Sequence, residues 1–118
     1  MDKTDKRRSA VALGVAAETF VSERLRQDGW DILARNWRGG GGELDVVALK
    51  AGVLRIVEVK ARTNADPLQA ITPRKQRRLV QAAEAFLATS EVSWREISFS
   101  IAMVENGVLS WLHDAFDA

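Results

Sequence analysis

The sequence predicts an α/β fold in which a mixed central β-sheet is flanked by α-helices, in the order α-β-β-β-α-β-β. Two β-rich segments separated by Ala51-Gly52 are typical of a tight hairpin. Thr72-Pro73 marks a helix start after that hairpin, and Asn106-Gly107 is a turn pair that predicts a second hairpin. At 118 residues, the chain is long enough for one hydrophobic core and too short for two.

The first third of the chain is predicted to hold a basic arm, one helix and one strand. Residues 1–8 form the basic, flexible arm, and a single domain extends over residues 9–118. A helix is expected from Ser9 to Asp28, and its partly apolar side consists of Val11, Val15, Phe20 and Leu25. Trp30–Asn36 alternates enough to predict a short strand, and Gly39–Gly42 predicts a flexible loop.

The remaining elements follow from turn and helix-start signals. The predicted strands are Glu43–Lys50, Val53–Ala61, Ile97–Glu105 and Val108–His113, with a polar loop at Arg62–Ala70 and a helix from Pro73 to Ala88. The first turn of that helix is rich in Lys and Arg, which opposes the helix dipole. An anionic partner or simple solvation would explain this placement.

Composition excludes several classes of protein. There is no cysteine and only one histidine, His113, so disulfide frameworks, thiolate metal sites and multi-histidine zinc sites are excluded. No stretch approaches the roughly 18 apolar residues of a membrane span, and the N-terminal segment is a poor secretory signal. We therefore expect a cytoplasmic protein. Residues 1–78 carry sixteen Lys/Arg and ten Asp/Glu, which is compatible with a basic face that meets phosphates or with ordinary solvated surface.

Four charged residues converge at the open end of the first predicted hairpin. A two-residue turn at Ala51-Gly52 places Asp45 opposite Glu58 and Glu43 opposite Lys60, on one face of the hairpin. Two carboxylates this close repel each other unless positive charge lies between them. A surface salt-bridge ladder is the simpler alternative, but it leaves the two acids facing each other without a directly opposed cation.

This arrangement is suited to a divalent cation. Mg²⁺ prefers oxygen ligands and commonly takes one or two carboxylates together with water and substrate phosphate, which Asp45 and Glu58 could provide. The carbonyl oxygen of Val59 is a further candidate ligand. Lys60 could hold or deprotonate an attacking water, so the cluster predicts hydrolysis of phosphodiesters.

The same residues carry a resemblance to a known family. Asp45, twelve intervening residues and Glu58-Val-Lys60 resemble the core of the PD-(D/E)XK nucleases. The longer runs Arg35–Arg38, Gly42–Asp45 and Val57–Arg62 resemble the UPF0102 (YraN-like) family of small bacterial proteins, and the likeness extends from Gly14 to Phe116. The resemblance implies a restriction-endonuclease-like core similar to that of Holliday-junction resolvases.

The resemblance also implies roles for individual residues. Asp45 and Glu58 would bind Mg²⁺ or Mn²⁺, Lys60 would be the catalytic lysine, and Glu18 on the first helix would complete the metal site. Glu43 would be a partner of Lys60. Lys75 and Arg78 match basic positions of the family and would face DNA phosphate. Apart from the resemblance, the other residues expected to contact nucleic acid are Arg38, Arg62, Arg74 and Arg77. The chain departs from the family pattern at Ala17, where glycine is usual, and at Ser98-Phe99-Ser100, where Arg-Phe-Asp is frequent.

These observations predict a metal-dependent endonuclease that acts on DNA, with branched DNA as a candidate substrate and a homodimer as the expected assembly. One alternative is a non-catalytic nucleic-acid- or protein-binding module that retains the nuclease fold. Another is a structural dimerisation unit that uses a sheet edge or Trp37. This tryptophan could stack on a nucleobase, but a tryptophan is more often part of a core or a partner interface. The other tryptophans, Trp30, Trp94 and Trp111, are predicted to pack, and His113 is predicted to be structural.

Overall fold

In the computed structural model, which describes residues 3–61 and 71–116, two helices cover a five-stranded mixed sheet. The elements are α1 (Lys3–Gln27), β1 (Asp31–Gly39), β2 (Gly42–Lys50), β3 (Val53–Lys60), α2 (Pro73–Thr89), β4 (Glu96–Glu105) and β5 (Val108–Leu112). The predicted mixed α/β class and the order of its elements are therefore confirmed. The predicted loop at 62–70, with Arg62, lies outside the described residues.

The strands lie side by side in chain order, from β1 to β5. All neighbouring pairs are antiparallel except β3 and β4, which are parallel. The exception has a simple cause, because antiparallel neighbours need only a tight turn, whereas parallel neighbours need a long crossover connection. Helix α2 lies in that crossover, between the end of β3 and the start of β4.

Three two-residue turns join the antiparallel strands. At Gly40-Gly41, Ala51-Gly52 and Asn106-Gly107 both residues have positive φ, as a type I′ turn requires. The two predicted hairpin turns are confirmed. The predicted flexible loop at Gly39–Gly42 is instead a third tight turn, in which Gly39 pairs with Gly42.

The β2–β3 hairpin has the predicted register. Its paired residues run from Lys50 opposite Val53 to Val46 opposite Val57. The regular pairing of β2 with β3 stops there, one residue short of Asp45 and Glu58. The open end of this hairpin is therefore the place where side chains can replace the regular backbone hydrogen bonds.

The two helices cover opposite faces of the sheet. On β3, Ile56 belongs to the core beneath α2, whereas its neighbour Val57 belongs to the core beneath α1, as expected for successive residues of a strand. Buried residues of α2 are Leu79, Ala82, Ala83 and Phe86. Both faces of the central strands are thus protected from water, and the site described below lies on the α2 side.

Helix α1 differs from its prediction in two ways. It begins at Lys3, not Ser9, because residues 3–8 contain no Gly or Pro and are rich in good helix formers, so the predicted arm is helical from Lys3 onwards. Its buried residues are Ala17, Val21, Ser22 and Leu25, whereas the predicted side is largely exposed: Val11 by 66% and Val15 by 53%. Only the second half of α1 packs on the sheet. No helix in the described part of the chain is both long and apolar enough to span a bilayer.

The aromatic residues have distinct roles. Trp37 packs edge-on against Phe86 of α2, with ring centroids 5.5 Å apart, so it belongs to the core beneath α2. Trp94 was predicted to pack but is 44% exposed, because it precedes β4 in an irregular segment.

A second aromatic cluster covers the α1 side of the sheet. The Arg55 guanidinium lies 4.4 Å from the Trp30 ring and 6.0 Å from the Trp111 ring. His113 stacks on Trp111, and its Nδ1 is 3.1 Å from the buried Ser100 hydroxyl. Trp30 and Trp111 therefore pack as predicted, and the contacts of His113 fit a structural role.

Candidate metal centre and its surroundings

A cavity of about 1050 Å³ lies between the open end of the β2–β3 hairpin and the first turns of α2. Asp45 and Glu58 line it from the sheet, and Arg74, Lys75 and Arg78 line it from the helix. The two predicted acidic residues are thus brought to one side of the sheet. A basic helix face lies across from them.

The glycine turn between β1 and β2 forms another wall of this cavity. A Cβ atom on Gly42 would lie 2.8 Å from the Arg78 carbonyl oxygen, and one on Gly40 would lie 2.6 Å from the Gln81 carbonyl oxygen. Both distances are too short for a side chain. The glycines therefore allow the turn to lie directly against the backbone of α2, a tertiary requirement that Gly39–Gly42 alone did not reveal.

Asp45 is held by the backbone of the neighbouring strand. The Val59 N–H donates a hydrogen bond of 2.8 Å to Asp45 Oδ2. The pKa of Asp45 is raised from 3.8 to about 7, first by burial and then by the charge of Glu58, while the Val59 hydrogen bond acts in the opposite direction. A raised pKa of this kind is expected where carboxylates meet without sufficient positive charge.

Glu58 is buried, and two lysines share one of its oxygens. Its side chain is 8% exposed, and Oε1 lies 2.5 Å from Lys75 Nζ and 3.3 Å from Lys60 Nζ. Burial lowers the pKa of the Lys75 ammonium, but its hydrogen bond to Glu58 and the charge of that carboxylate outweigh burial, so the pKa lies above its usual value. Two ammonium groups therefore lie against one oxygen of the buried Glu58 side chain.

The start of α2 directs Lys75 towards the sheet. Thr72 is the N-cap, as predicted, and its side chain accepts a hydrogen bond of 3.2 Å from the Lys75 backbone N–H. Pro73 occupies the first turn, where it has no backbone donor to lose. The basic first turn that opposes the helix dipole therefore faces an acidic pair, which compensates for the unfavourable placement.

The lysine and glutamate partners differ from those predicted. Glu43 lines the cavity, but its Oε2 lies 3.9 Å from the Arg38 guanidinium, and Lys60 pairs with Glu58. The reason is the hairpin turn at Gly40-Gly41, which places Arg38 of β1 directly opposite Glu43 of β2. The predicted partnership of Glu43 with Lys60 is therefore replaced by two other pairs.

Glu18 lies near this site without lining the cavity. Its charge contributes to the raised pKa of Asp45, so the two groups are within electrostatic range. Within residues 3–61 and 71–116, however, no group of three or more Asp, Glu, His or Cys side chains is gathered closely enough to hold a metal ion. In the described residues, Glu18 is therefore not gathered with Asp45 and Glu58 into one group, as its predicted role in the metal site requires.

The remaining donors still fit a divalent cation. Asp45 and Glu58 provide two carboxylates at the cavity, and Val59 donates its backbone N–H to Asp45. One or two carboxylates completed by water and substrate oxygens is the usual environment of Mg²⁺. The high pKa of Asp45 also indicates a carboxylate that additional positive charge would stabilise.

The predicted nucleic-acid contacts fall into three groups. Arg38, Arg74, Lys75 and Arg78 line the cavity. Arg77 is exposed and is not among the residues that line the cavity. Arg62 lies outside the described residues. Of these, Lys75 contacts Glu58 directly, a tertiary contact for which the sequence offers no local signal.

Comparison with known proteins places this chain among similar bacterial sequences. Residues 17–104 match the model of the "Uncharacterised protein family UPF0102". A UPF0102 protein of Synechococcus sp. (strain JA-3-3Ab) is 44% identical over 89% of this chain and 83% of its own length. A second UPF0102 protein, from Rhodopseudomonas palustris (strain ATCC BAA-98 / CGA009), is 39% identical over 100% of this chain and 98% of its own length. The chain therefore belongs to the UPF0102 family.

Proposed function

We propose that this protein is a metal-dependent endonuclease that hydrolyses phosphodiester bonds in DNA, with branched DNA as its preferred substrate, on a restriction-endonuclease-like core. The observation that carries the proposal is the cavity that Asp45 and Glu58 share with the basic face of α2. Acidic groups that attract a divalent cation and basic groups that attract phosphates face each other across it. Metal-assisted hydrolysis of a phosphodiester uses both.

The roles of the residues follow from their positions. Asp45, Glu58 and the Val59 carbonyl would hold Mg²⁺ or Mn²⁺, which supplies Lewis acidity and promotes ionisation of water. Lys60 lies beside Glu58, at 3.3 Å, and would orient the attacking water or take its proton. The hydrogen bond from Val59 fixes the orientation of Asp45, so that the carboxylate does not need to be ordered when a cation binds.

The basic side chains would position the substrate. Arg74 and Arg78 lie on the helix wall of the cavity, and Arg38 lies on the wall formed by β1. Each guanidinium group can bind two phosphate oxygens at once, and it remains charged at any relevant pH. A DNA strand held by these groups would lie across the acidic pair. Contacts of this kind recognise the backbone and not the base sequence, which suits an enzyme that recognises DNA shape.

A cleavage assay with two matched variants tests the proposal. Fluorescent four-way junctions, flaps and linear duplexes are incubated with the protein and Mg²⁺ or Mn²⁺. Wild type is expected to cleave, and Asp45→Asn is expected to lose activity about a hundredfold or more. Asp31→Asn is the control, because it removes an exposed carboxylate from β1 outside the cavity. Absence of metal-dependent cleavage on all substrates, or equal cleavage by Asp45→Asn, would reject the proposal.

One observation favours a second candidate, a nucleic-acid-binding module without catalysis. The two lysines on Glu58 already compensate its charge, so the acidic pair has a source of positive charge within the chain. Such a module would bind DNA with strong salt dependence. Its affinity would respond neither to Mg²⁺ nor to Asp45→Asn, whereas the nuclease would respond to both.

A further inference from the structure

The position of Lys75 points to a function for this residue beyond contact with phosphate. Its ammonium lies 2.5 Å from Glu58 Oε1, on the buried carboxylate that we assign to the cation. Lys60 approaches the same oxygen at 3.3 Å. A buried carboxylate without a partner is strongly destabilising, so at least one cation is needed there when no metal is bound.

A divalent cation cannot simply be added to this arrangement. Two like charges that lie close together near a protein surface repel each other, and a divalent ion doubles this repulsion. Both ammonium groups lie on the Glu58 carboxylate, so a cation bound by either of its oxygens would be close to both of them. Entry of the cation therefore requires one ammonium group to leave.

The geometry identifies Lys75 as the group that leaves. Lys75 lines the cavity and its side chain is 36% exposed, so it has free volume to enter. Lys60 does not line the cavity, and it is attached to β3 two residues from Glu58, on the same face of the strand. The Lys75 backbone is fixed by the Thr72 cap, so its side chain alone would move.

We propose that Lys75 is the resident counter-ion of Glu58, and that a divalent cation displaces it into the cavity, where its ammonium becomes a ligand for a substrate phosphate. The proposal rests on the proposed metal-dependent function and adds a thermodynamic coupling to it. When the cation binds, the Lys75 ammonium is released and can bind a phosphate. When a phosphate binds, it holds the same ammonium away from Glu58. Each ligand therefore strengthens the binding of the other, as reciprocity requires.

Titration calorimetry of the full chain with Mn²⁺, without nucleic acid, tests the displacement. Lys75→Met removes the competitor, and its Mn²⁺ affinity is expected to exceed that of wild type by about tenfold, the equivalent of one hydrogen bond to a charged group. Arg78→Met is the matched control, because it removes a positive charge from the same cavity without removing a partner of Glu58. It reports the long-range electrostatic effect alone.

Two further measurements extend the test. Lys75→Arg retains the charge and the contact, so its Mn²⁺ affinity should equal or fall below that of wild type, and this variant remains informative if Lys75→Met does not fold. The affinity for a short DNA duplex, measured by fluorescence anisotropy with and without Ca²⁺, should rise with the cation in wild type. In Lys75→Met this rise should be reduced at least threefold relative to Arg78→Met.

The outcomes separate this inference from the proposed function. If wild type binds Mn²⁺ in an Asp45-dependent manner while Lys75→Met and Arg78→Met behave alike, the displacement is wrong and the metal site stands. If none of these proteins binds Mn²⁺, the metal site is wrong and both proposals fall together. Binding by Lys75→Met alone would overturn the displacement, because the ion would then fail to displace Lys75 in wild type.

Discussion

The Val59 backbone N–H donates a hydrogen bond of 2.8 Å to the carboxylate of Asp45, at the point where the regular pairing of β2 and β3 ends. A side chain thus replaces the next backbone contact between the two strands. The hydrogen bond holds the carboxylate beside the strand that carries Glu58. The same contact connects the fold to the proposed chemistry, because it fixes the first of the two acidic groups.

Removing this hydrogen bond should destabilise the protein. Asp45→Ala leaves the Val59 N–H without its acceptor, whereas Asp45→Asn retains an acceptor oxygen. At pH 5, where the raised pKa keeps Asp45 largely protonated, repulsion from Glu58 contributes little to the difference. Urea denaturation at that pH should show Asp45→Ala to be less stable than Asp45→Asn by about 1–2 kcal/mol. Equal stabilities would mean that the hydrogen bond does not contribute.

The raised pKa of Asp45 predicts a pH dependence with a defined sign. Between about pH 4 and pH 7 the native protein retains a proton on Asp45 that the unfolded chain has lost, because the pKa rises from 3.8 to about 7 on folding. Stability should therefore fall as the pH rises through this window, with a slope of at most about 1.4 kcal/mol per pH unit from this group.

Asp45→Asn provides the reference for that measurement. The free energy of unfolding of each protein is measured by urea denaturation at half-unit intervals from pH 4 to pH 8, without divalent cations. The difference, wild type minus Asp45→Asn, should decrease with pH and level off above pH 7. A difference that is flat or that increases with pH would show that folding does not raise the pKa of Asp45.

Close contact between the glycine turn and α2 predicts the effect of a single methyl group. Gly42→Ala would place its Cβ 2.8 Å from the Arg78 carbonyl, so the turn or the helix must shift, at a cost of about 1–3 kcal/mol. The shift would also move the cavity wall. Gly14→Ala is the control, because nothing lies within 4 Å of its added carbon in α1, and it should stabilise the protein by about 1 kcal/mol. Thermal denaturation of both variants distinguishes these opposite signs.

The contact between Trp37 and Phe86 predicts that Trp37 acts in packing and not in base stacking. Trp37→Ala should lower the free energy of unfolding by about 2–4 kcal/mol, since it leaves a cavity against α2. Trp94→Ala, at an exposed position, should change it by less than about 0.5 kcal/mol. A small effect of Trp37→Ala on stability, together with a large loss of DNA affinity, would restore the base-stacking hypothesis.

Local signals predicted much of this fold. Ala51-Gly52 and Asn106-Gly107 fixed two hairpins, and the first of them placed Asp45 and Glu58 near each other, because a two-residue turn determines the register of the strands it joins. Thr72-Pro73 likewise fixed the start of α2. In each case the physical cause lies within a few consecutive residues.

The contacts that local signals did not predict join distant segments. Lys75 contacts Glu58, and this contact connects α2 to β3 and not residues that are neighbours in sequence. Glu43 pairs with Arg38 because the glycine turn at Gly40-Gly41 aligns β1 with β2. No periodicity in the sequence contains that information.

The most direct measurement is single-turnover cleavage of a labelled four-way junction in Mg²⁺ by wild type and Lys60→Met, with Lys50→Met as the control. Lys50 is exposed at the opposite end of the same hairpin, so its loss should leave the rate unchanged. Lys60 lies 3.3 Å from Glu58, and its loss should lower the rate about a hundredfold or more while the fold and the Mg²⁺ affinity persist. Equal rates for wild type and Lys60→Met would contradict a hydrolytic site built on these residues.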